Sequence, residues 1–281
     1  MKFYSPLRYP GGKNKLAKFI ALLCEKNNIN GHYVEPYAGG ASVALHLLIS
    51  GYVKEITIND FDKAIYAFWY SILNETEKFC RKINNTEITV ENWKKFEKVY
   101  KNKDKEKLFD LGFATFFLNR TNISGIIDGG IIGGMEQNGN YKINCRFNKK
   151  DLITRIKLVA KYKKSIHLYN KDALELINII QEDNNTIFYF DPPYYLKGPS
   201  LYMNNYKNSD HKEVSEKIQK IKNAKYIVSY DNTPETKKLY KKLKKKEFSF
   251  LYTAYEIRKG MEVLFFSNDL YVPRILEPTK I

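Results

Sequence analysis

The chain is poor in the residues that build metal sites and covalent frameworks. Its three cysteines, Cys24, Cys80 and Cys145, are widely spaced, form no Cys-x-x-Cys pair and are joined by only four histidines. Zinc needs thiolate and imidazole ligands at short regular spacings, so no metal is expected. The same scarcity speaks against a disulfide scaffold and for a reducing, cytoplasmic setting. Long hydrophobic runs are missing too. The opening residues are broken by Pro6, Pro10, Gly11 and Gly12 before an apolar stretch develops, and no later run reaches bilayer-spanning length. A soluble, unexported protein with no membrane partner is expected, without internal repeats or a disordered tail.

Acidic residues are also in deficit: 31 against 47 basic ones, a formal charge of +16 over 281 residues. Such an excess attracts polyanions and makes binding salt-sensitive, which points first to nucleic acid. Only seven of the basic residues are arginine, while Lys, Asn, Ile and Tyr abound, a bias that an AT-rich coding sequence also produces. The run Lys237 to Lys246 spaces Leu239 and Leu243 four apart and reads as a basic helix with one apolar stripe, either functional or simply solvated.

Periodicity gives an α/β pattern interrupted by foreign sequence. A helix over 14–28 precedes a strand at 32–35, the turn Pro36-Tyr37-Ala38-Gly39-Gly40, a helix near 41–50 and an alternating strand at 55–59 ending on Asp60. Strand, glycine turn, helix, strand and acid make a nucleotide-binding half. Residues 63–118 read as helices. From 119 to 150, glycines at 125, 129, 130, 133, 134 and 139 mark a hairpin or irregular loop. The α/β rhythm returns with a helix at 152–163, a strand at 165–169, a helix at 172–181 and the apolar strand Thr186 to Phe190, followed by strands at 225–230 and 262–267. The expected architecture is a Rossmann-like sheet with helices on both faces, formed by 1–62 and 165–281, carrying a mainly helical insert with a hairpin at 63–164.

The most informative string is Asp191-Pro192-Pro193-Tyr194, where a buried strand opens into the crevice of such a sheet. An aromatic amine is a poor nucleophile because its lone pair is delocalised into the ring. Two acceptors for its hydrogens, the Asp191 carboxylate and the Pro192 carbonyl, would favour a pyramidal nitrogen and free that lone pair. Tyr194 would stack on the base. A turn with Asp191 as a helix cap accounts for the same four residues. Gly39 and Gly40 let backbone approach a ligand closely. Asp60, about 20 residues on, suits two ribose hydroxyls or a plain turn. Asp172 suits an adenine amine or a helix cap. Arg8-Tyr9-Pro10-Gly11-Gly12-Lys13 suits the methionine end of a sulfonium cofactor, with Tyr9 over the sulfur and Lys13 at the carboxylate, or is an ordinary glycine-rich helix start.

Together, and in this order, these residues resemble the Dam-like family of DNA adenine-N6 methyltransferases, with the recognition domain inserted between cofactor and catalytic motifs. YPGGK resembles the N-terminal cofactor motif, VEPYAGGASVAL the glycine motif, IND the ribose acid, DPPYY the catalytic motif, FLNRTNISG the start of the recognition insert and KGMEVLFF the final hairpin. The resemblance implies S-adenosylmethionine as cofactor, double-stranded DNA as partner, and a companion restriction endonuclease acting separately in some systems. It implies a cofactor site of Tyr9, Gly12, Lys13, Glu35, Pro36, Tyr37, Ala38, Gly39, Asp60, Asp172 and Asp191. The reacting centre would be Asp191, Pro192 and Tyr194, with direct in-line transfer to a flipped adenine. Base and phosphate contacts are expected from Arg8, Arg120, Asn122, Ile123, Ser124, Asn138 and Arg146; the alternative is that Arg120 and Arg146 only hold phosphates, or that Arg120 pairs within the insert. The GATC-reading residues of the family are absent: Ile126-Ile127-Asp128 stands where those members carry Arg-Tyr-Asn. An rRNA guanine-N2 methyltransferase and an inactive DNA-binding relative are the competing readings.

Overall fold

The computed structural model describes residues 3–9, 11–180, 183–195, 206–252, 258–275 and 277–280. Among them one sheet holds β1 (His32–Glu35), β2 (Glu55–Asn59), β3 (Ile166–Tyr169), β4 (Thr186–Phe190), β5 (Lys225–Asp231), β6 (Lys244–Tyr252) and β7 (Arg258–Phe266), in the order β3-β2-β1-β4-β5-β7-β6. The first five in that order are parallel; β7 lies antiparallel between β5 and β6. β4 is buried at every position, as a strand covered on both faces must be. The strand order reverses between β1 and β4, so the crevice beyond their carboxyl ends is the topological switch point where such sheets take their ligands.

Helices α1 (Ala17–Lys26), α2 (Ser42–Ile49) and α3 (Lys63–Asn74) cover one face. The other is covered by α8 (Ala173–Ile179), α9 (Asn208–Ile218) and α10 (Pro234–Leu239). Between α3 and β3 the insert supplies α4 (Thr76–Asn85), α5 (Val90–Lys101), α6 (Leu108–Thr121) and α7 (Lys149–Lys161). Its aromatic centre, with Phe68, Phe79, Phe96, Phe113, Phe116, Phe117 and Phe147, belongs to the same continuous buried cluster as α1, α2 and that face of the sheet. The helix starts follow from local chemistry. Asp62, Thr89, Asn148 and Asp172 accept from the exposed N–H groups of α3, α5, α7 and α8. The cap on Asn148 starts α7 at Lys149, ahead of the apolar stripe at Leu152 that set the expected boundary. After α6 the chain runs irregularly through 122–148, and one antiparallel bridge, Asn122 to Ile131, closes its reversal.

One expectation is overturned. Lys237 to Lys246 is not a single basic helix: α10 ends at Leu239, and Lys244, Lys245 and Lys246 pair with Phe266, Phe265 and Leu264 as the start of β6. The buried ring of Tyr240 stacks on Phe265 and ends the helix. The lysines then lie on an edge strand, where charge discourages pairing with another sheet.

Candidate active site

The carboxyl ends of β1, β2 and β4, the glycine turn and the N-terminal segment enclose a cleft of about 1320 Å³. Tyr9, Gly12, Lys13, Glu35, Pro36, Tyr37, Ala38, Asp60, Asp172, Asp191 and Tyr194 all line it, so residues far apart in the chain meet in one place. Gly39 sits against its wall at φ +46, and a Cβ there would come within 2.6 Å of the Tyr9 ring. Only glycine fits under Tyr9, which fixes the cofactor-loop aromatic over the turn. Pro192 is buried between Asp191 and Pro193, which both reach the cleft. Pro10 lies outside the described residues.

The acids differ in their surroundings. Asp60 accepts from Gly39 N–H at 2.9 Å and Asp62 N–H at 3.0 Å. Burial outweighs these bonds and pushes its carboxyl up to about 7. A carboxylate has about four lone-pair positions, so two remain for a diol. Phe61 beside it is 61% exposed and offers a flat apolar face. Glu35, at the end of β1, accepts from Tyr33 O–H at 2.8 Å and Ala44 N–H at 3.3 Å, and burial pushes it up to about 8. Asp172 caps α8 through Leu174 N–H at 2.8 Å while lining the cleft, so the cap reading holds for one of its oxygens. Asn59, unsuspected from sequence, bonds the Pro36 carbonyl and both backbone groups of Lys171, tying the β1, β2 and β3 ends together. This cradle fits S-adenosylmethionine in charge, donors and size.

On one side of the cleft, Lys13 Nζ meets Asp191 at 2.9 Å, the Tyr194 hydroxyl at 3.2 Å and the Gly11 carbonyl at 3.1 Å. Ser229 Oγ, carried by β5, donates to Asp191 Oδ1 at 2.5 Å and accepts from Tyr189 O–H at 3.0 Å. Two expectations change here. Lys13 is committed to Asp191 rather than held open for a cofactor carboxylate. Tyr194 retains 2% of its surface and donates to Glu262 Oε1 at 2.6 Å, so in this conformation its ring walls the cleft and its faces are not free to stack on a base. Ser229 and Glu262 escaped sequence reasoning because strand alternation shows neither their burial nor the distant partners they reach.

The proposed DNA-contacting residues divide sharply. Asn122 is fully buried: its Oδ1 accepts from Trp93 Nε1 at 2.6 Å and its Nδ2 donates to the Ile126 and Ile127 carbonyls, which leaves nothing for a base. Arg120 is buried too, with Nε donating to the Pro6 carbonyl at 2.9 Å. Burial, then Arg155 and Arg8, push its guanidinium down to about 9, still a cation at neutral pH. Ile123 is 46% exposed and Asn138 is exposed; Ser124, at φ 58, and exposed Arg146 line the cleft. Arg8, whose Nη1 is buried with no hydrogen-bond partner among the described residues, has its pKa lowered by burial and by Arg146. Arg155, missed from sequence because it reads as a solvated helix position, completes a wall of four arginines: 8, 120, 146 and 155. Asn119, also missed, clamps both backbone groups of Arg8 at 2.8 Å and the Gly125 carbonyl. Residues 5–9 therefore join the insert to the cofactor turn.

A glycine turn and paired acids at the switch point of a sheet in this order make the framework of a Rossmann-like methyltransferase. The model of the family described as D12 class N6 adenine-specific DNA methyltransferase matches residues 9–256, and the chain belongs to that family. It is 24% identical over 269 residues to the Type II methyltransferase M.MjaIII of Methanocaldococcus jannaschii, covering 90% of this chain and 89% of that protein. Among solved structures, PH1948 of Pyrococcus horikoshii aligns at TM-score 0.43 and 10% identity over 90% of this chain and 84% of that one. The SAM-dependent O-methyltransferase TM0748 of Thermotoga maritima aligns at 0.34 and 9%, over 89% and 64%. Neither structural likeness bears on activity. The protein is an adenine-specific DNA methyltransferase, an enzyme that uses S-adenosylmethionine and acts on DNA. Among the described residues no helix is long and apolar enough to cross a membrane.

Proposed function

We propose that the enzyme methylates one adenine within a specific duplex sequence, taking that base out of the stack into the cleft at Asp191. The observation that carries this reading is the convergence of Asp191, Asp60 and Tyr9, from three distant parts of the chain, on a single cleft walled on another side by arginines. When bound, S-adenosylmethionine supplies an electrophilic methyl group on a sulfonium sulfur. Asp60 holds the ribose hydroxyls, Tyr9 and the turn at Ala38 and Gly39 shape the methionine end, and Asp172 and Phe61 frame the adenine. Asp191 accepts a hydrogen from the target amine and the Pro192 carbonyl accepts the other, which directs the nitrogen lone pair at the methyl group. Tyr194 holds this centre in place through its hydroxyl.

Residues 63–164 act as the recognition part of this reading. Exposed Ile123 fills the space left by the flipped base, and Asn138 and Arg146 meet base edges or phosphates beside it. Arg8, Arg120 and Arg155 form a cationic wall against the strand, and Arg120 and Asn122 also hold the loop in shape. The likeness to a Type II methyltransferase extends the proposal to a modification enzyme working beside a separate endonuclease in the cytoplasm. Sequencing of N6-methyladenine in the DNA of cells expressing the enzyme gives the site. Replacing the target adenine there by 2-aminopurine should then raise fluorescence on binding; an unchanged signal contradicts base flipping.

A further inference from the structure

Asp191 does not meet the cleft as a free carboxylate. Lys13 Nζ lies 2.9 Å from both of its oxygens, and Ser229 Oγ adds a third bond. The same ammonium stands 3.9 Å from Glu262 Oε1, on a side chain of β7 with no exposed surface. The Tyr194 hydroxyl links the two, accepting from Lys13 at 3.2 Å and donating to Glu262 at 2.6 Å. One buried cation thus sits between two carboxylates, one facing the reacting centre and one behind it.

Methyl transfer gives this arrangement a use. As the carbon–sulfur bond breaks and the carbon–nitrogen bond forms, the sulfur keeps the electron pair and positive charge appears on N6 until its proton passes through the Asp191 carboxylate to solvent. An ammonium held on Asp191 opposes that charge and competes with the amine hydrogen for the same oxygens. We propose that Glu262 is a positioning residue for methyl transfer, receiving the Lys13 ammonium as the target amine takes its place on Asp191. The movement is small: shortening the 3.9 Å separation to a charge-assisted bond shifts Nζ by about 1 Å. With Glu262 ionised, Lys13, Asp191 and Glu262 together carry one net negative charge, which matches the single positive charge that reaches N6. Without Glu262 the pair is neutral. The inference rests on Asp191 being the amine acceptor.

Single-turnover methylation, with cofactor and DNA affinities measured separately, tests it. Glu262→Gln keeps the side chain's shape and its carbonyl acceptor for Tyr194 but removes the charge. The expected result is a rate about ten- to a hundredfold lower with both affinities nearly unchanged. In a Lys13→Met background the same substitution should change the rate by less than about twofold, because no ammonium needs receiving. Glu262→Asp, shorter but charged, should be faster than Glu262→Gln, whereas a role in packing alone makes the isosteric Gln the better tolerated. A full rate in Glu262→Gln, independent losses in the double variant, or Gln outperforming Asp overturns the proposal. If Glu262→Gln melts early, the ranking of folded Glu262→Asp against it under stabilising cofactor decides. Near-normal turnover in Asp191→Ala, which removes the acceptor altogether, overturns the acceptor reading and this inference with it, whereas an inactive Asp191→Ala beside additive Glu262 losses removes only the role of Glu262.

Discussion

Cofactor affinity should depend on pH through Asp60. Its carboxyl is pushed up to about 7 by burial, and only the ionised form accepts from both ribose hydroxyls. With that value, about one-tenth of the protein carries the binding form at pH 6 and about nine-tenths at pH 8, so the dissociation constant should fall about tenfold across the interval. Binding below pH 7 must also release a proton, because the hydroxyl bonds favour the ionised form. Calorimetry in buffers of different ionisation enthalpy reads both effects. Glu35, pushed up to about 8, titrates in the same range, so Asp60→Asn is the necessary control. It should bind more weakly at pH 8, by about 1–3 kcal/mol for the lost ribose bonds, and lose most of the pH slope. Equal affinity at pH 6 and pH 8 in the unaltered enzyme, or an unchanged slope in Asp60→Asn, refutes the assignment of Asp60 to the ribose.

The same two acids set a stability trend. Their folded values lie above their ordinary ones, so their neutral forms favour folding at low pH, and that contribution is lost as pH rises from about 4 through 7 and 8; denaturant midpoints of the cofactor-free protein should fall over this window once other groups are controlled by Glu35→Gln and Asp60→Asn. Asn122→Ala should lower stability by about 1–3 kcal/mol, because it strands the buried Trp93 N–H and two loop carbonyls, and denaturant unfolding checks this. DNA affinity should fall linearly in log–log form with salt. Arg155→Ala should weaken all sequences alike and reduce the slope by about 1, whereas a changed methylation profile would make Arg155 a base reader.

Residues 32–60 and the strand that ends on Asp191 were readable because each signal was local. Thr186 to Phe190 is nearly continuously apolar, and Gly39, Asp60 and Asp191 stand at or just beyond strand ends, where a short pattern suffices to place them. The lysine run at 237–246 misled because lysine suits an exposed helix and an exposed edge strand equally; the partner that decides between them, Leu264 to Phe266, lies some twenty residues away. Asn122 misled for a related reason. An asparagine in a glycine-rich loop looks available to a base, and only the fold brings Trp93 to its oxygen. Glu262, Ser229, Asn119 and Arg155 act through partners more than thirty residues distant, and such pairings leave no trace in periodicity or spacing.

If Asp191 prepares the adenine amine, removing its carboxylate must abolish methyl transfer and spare binding. The direct measurement incubates the enzyme and its Asp191→Ala variant with tritiated S-adenosylmethionine and duplex DNA, digests the product to nucleosides and follows N6-methyladenine, while cofactor and DNA binding are measured on the same preparations. The expected result is labelled N6-methyladenine from the unaltered enzyme and none from the variant, with the variant still folded and still binding DNA. Near-normal N6-methyladenine from Asp191→Ala would contradict it.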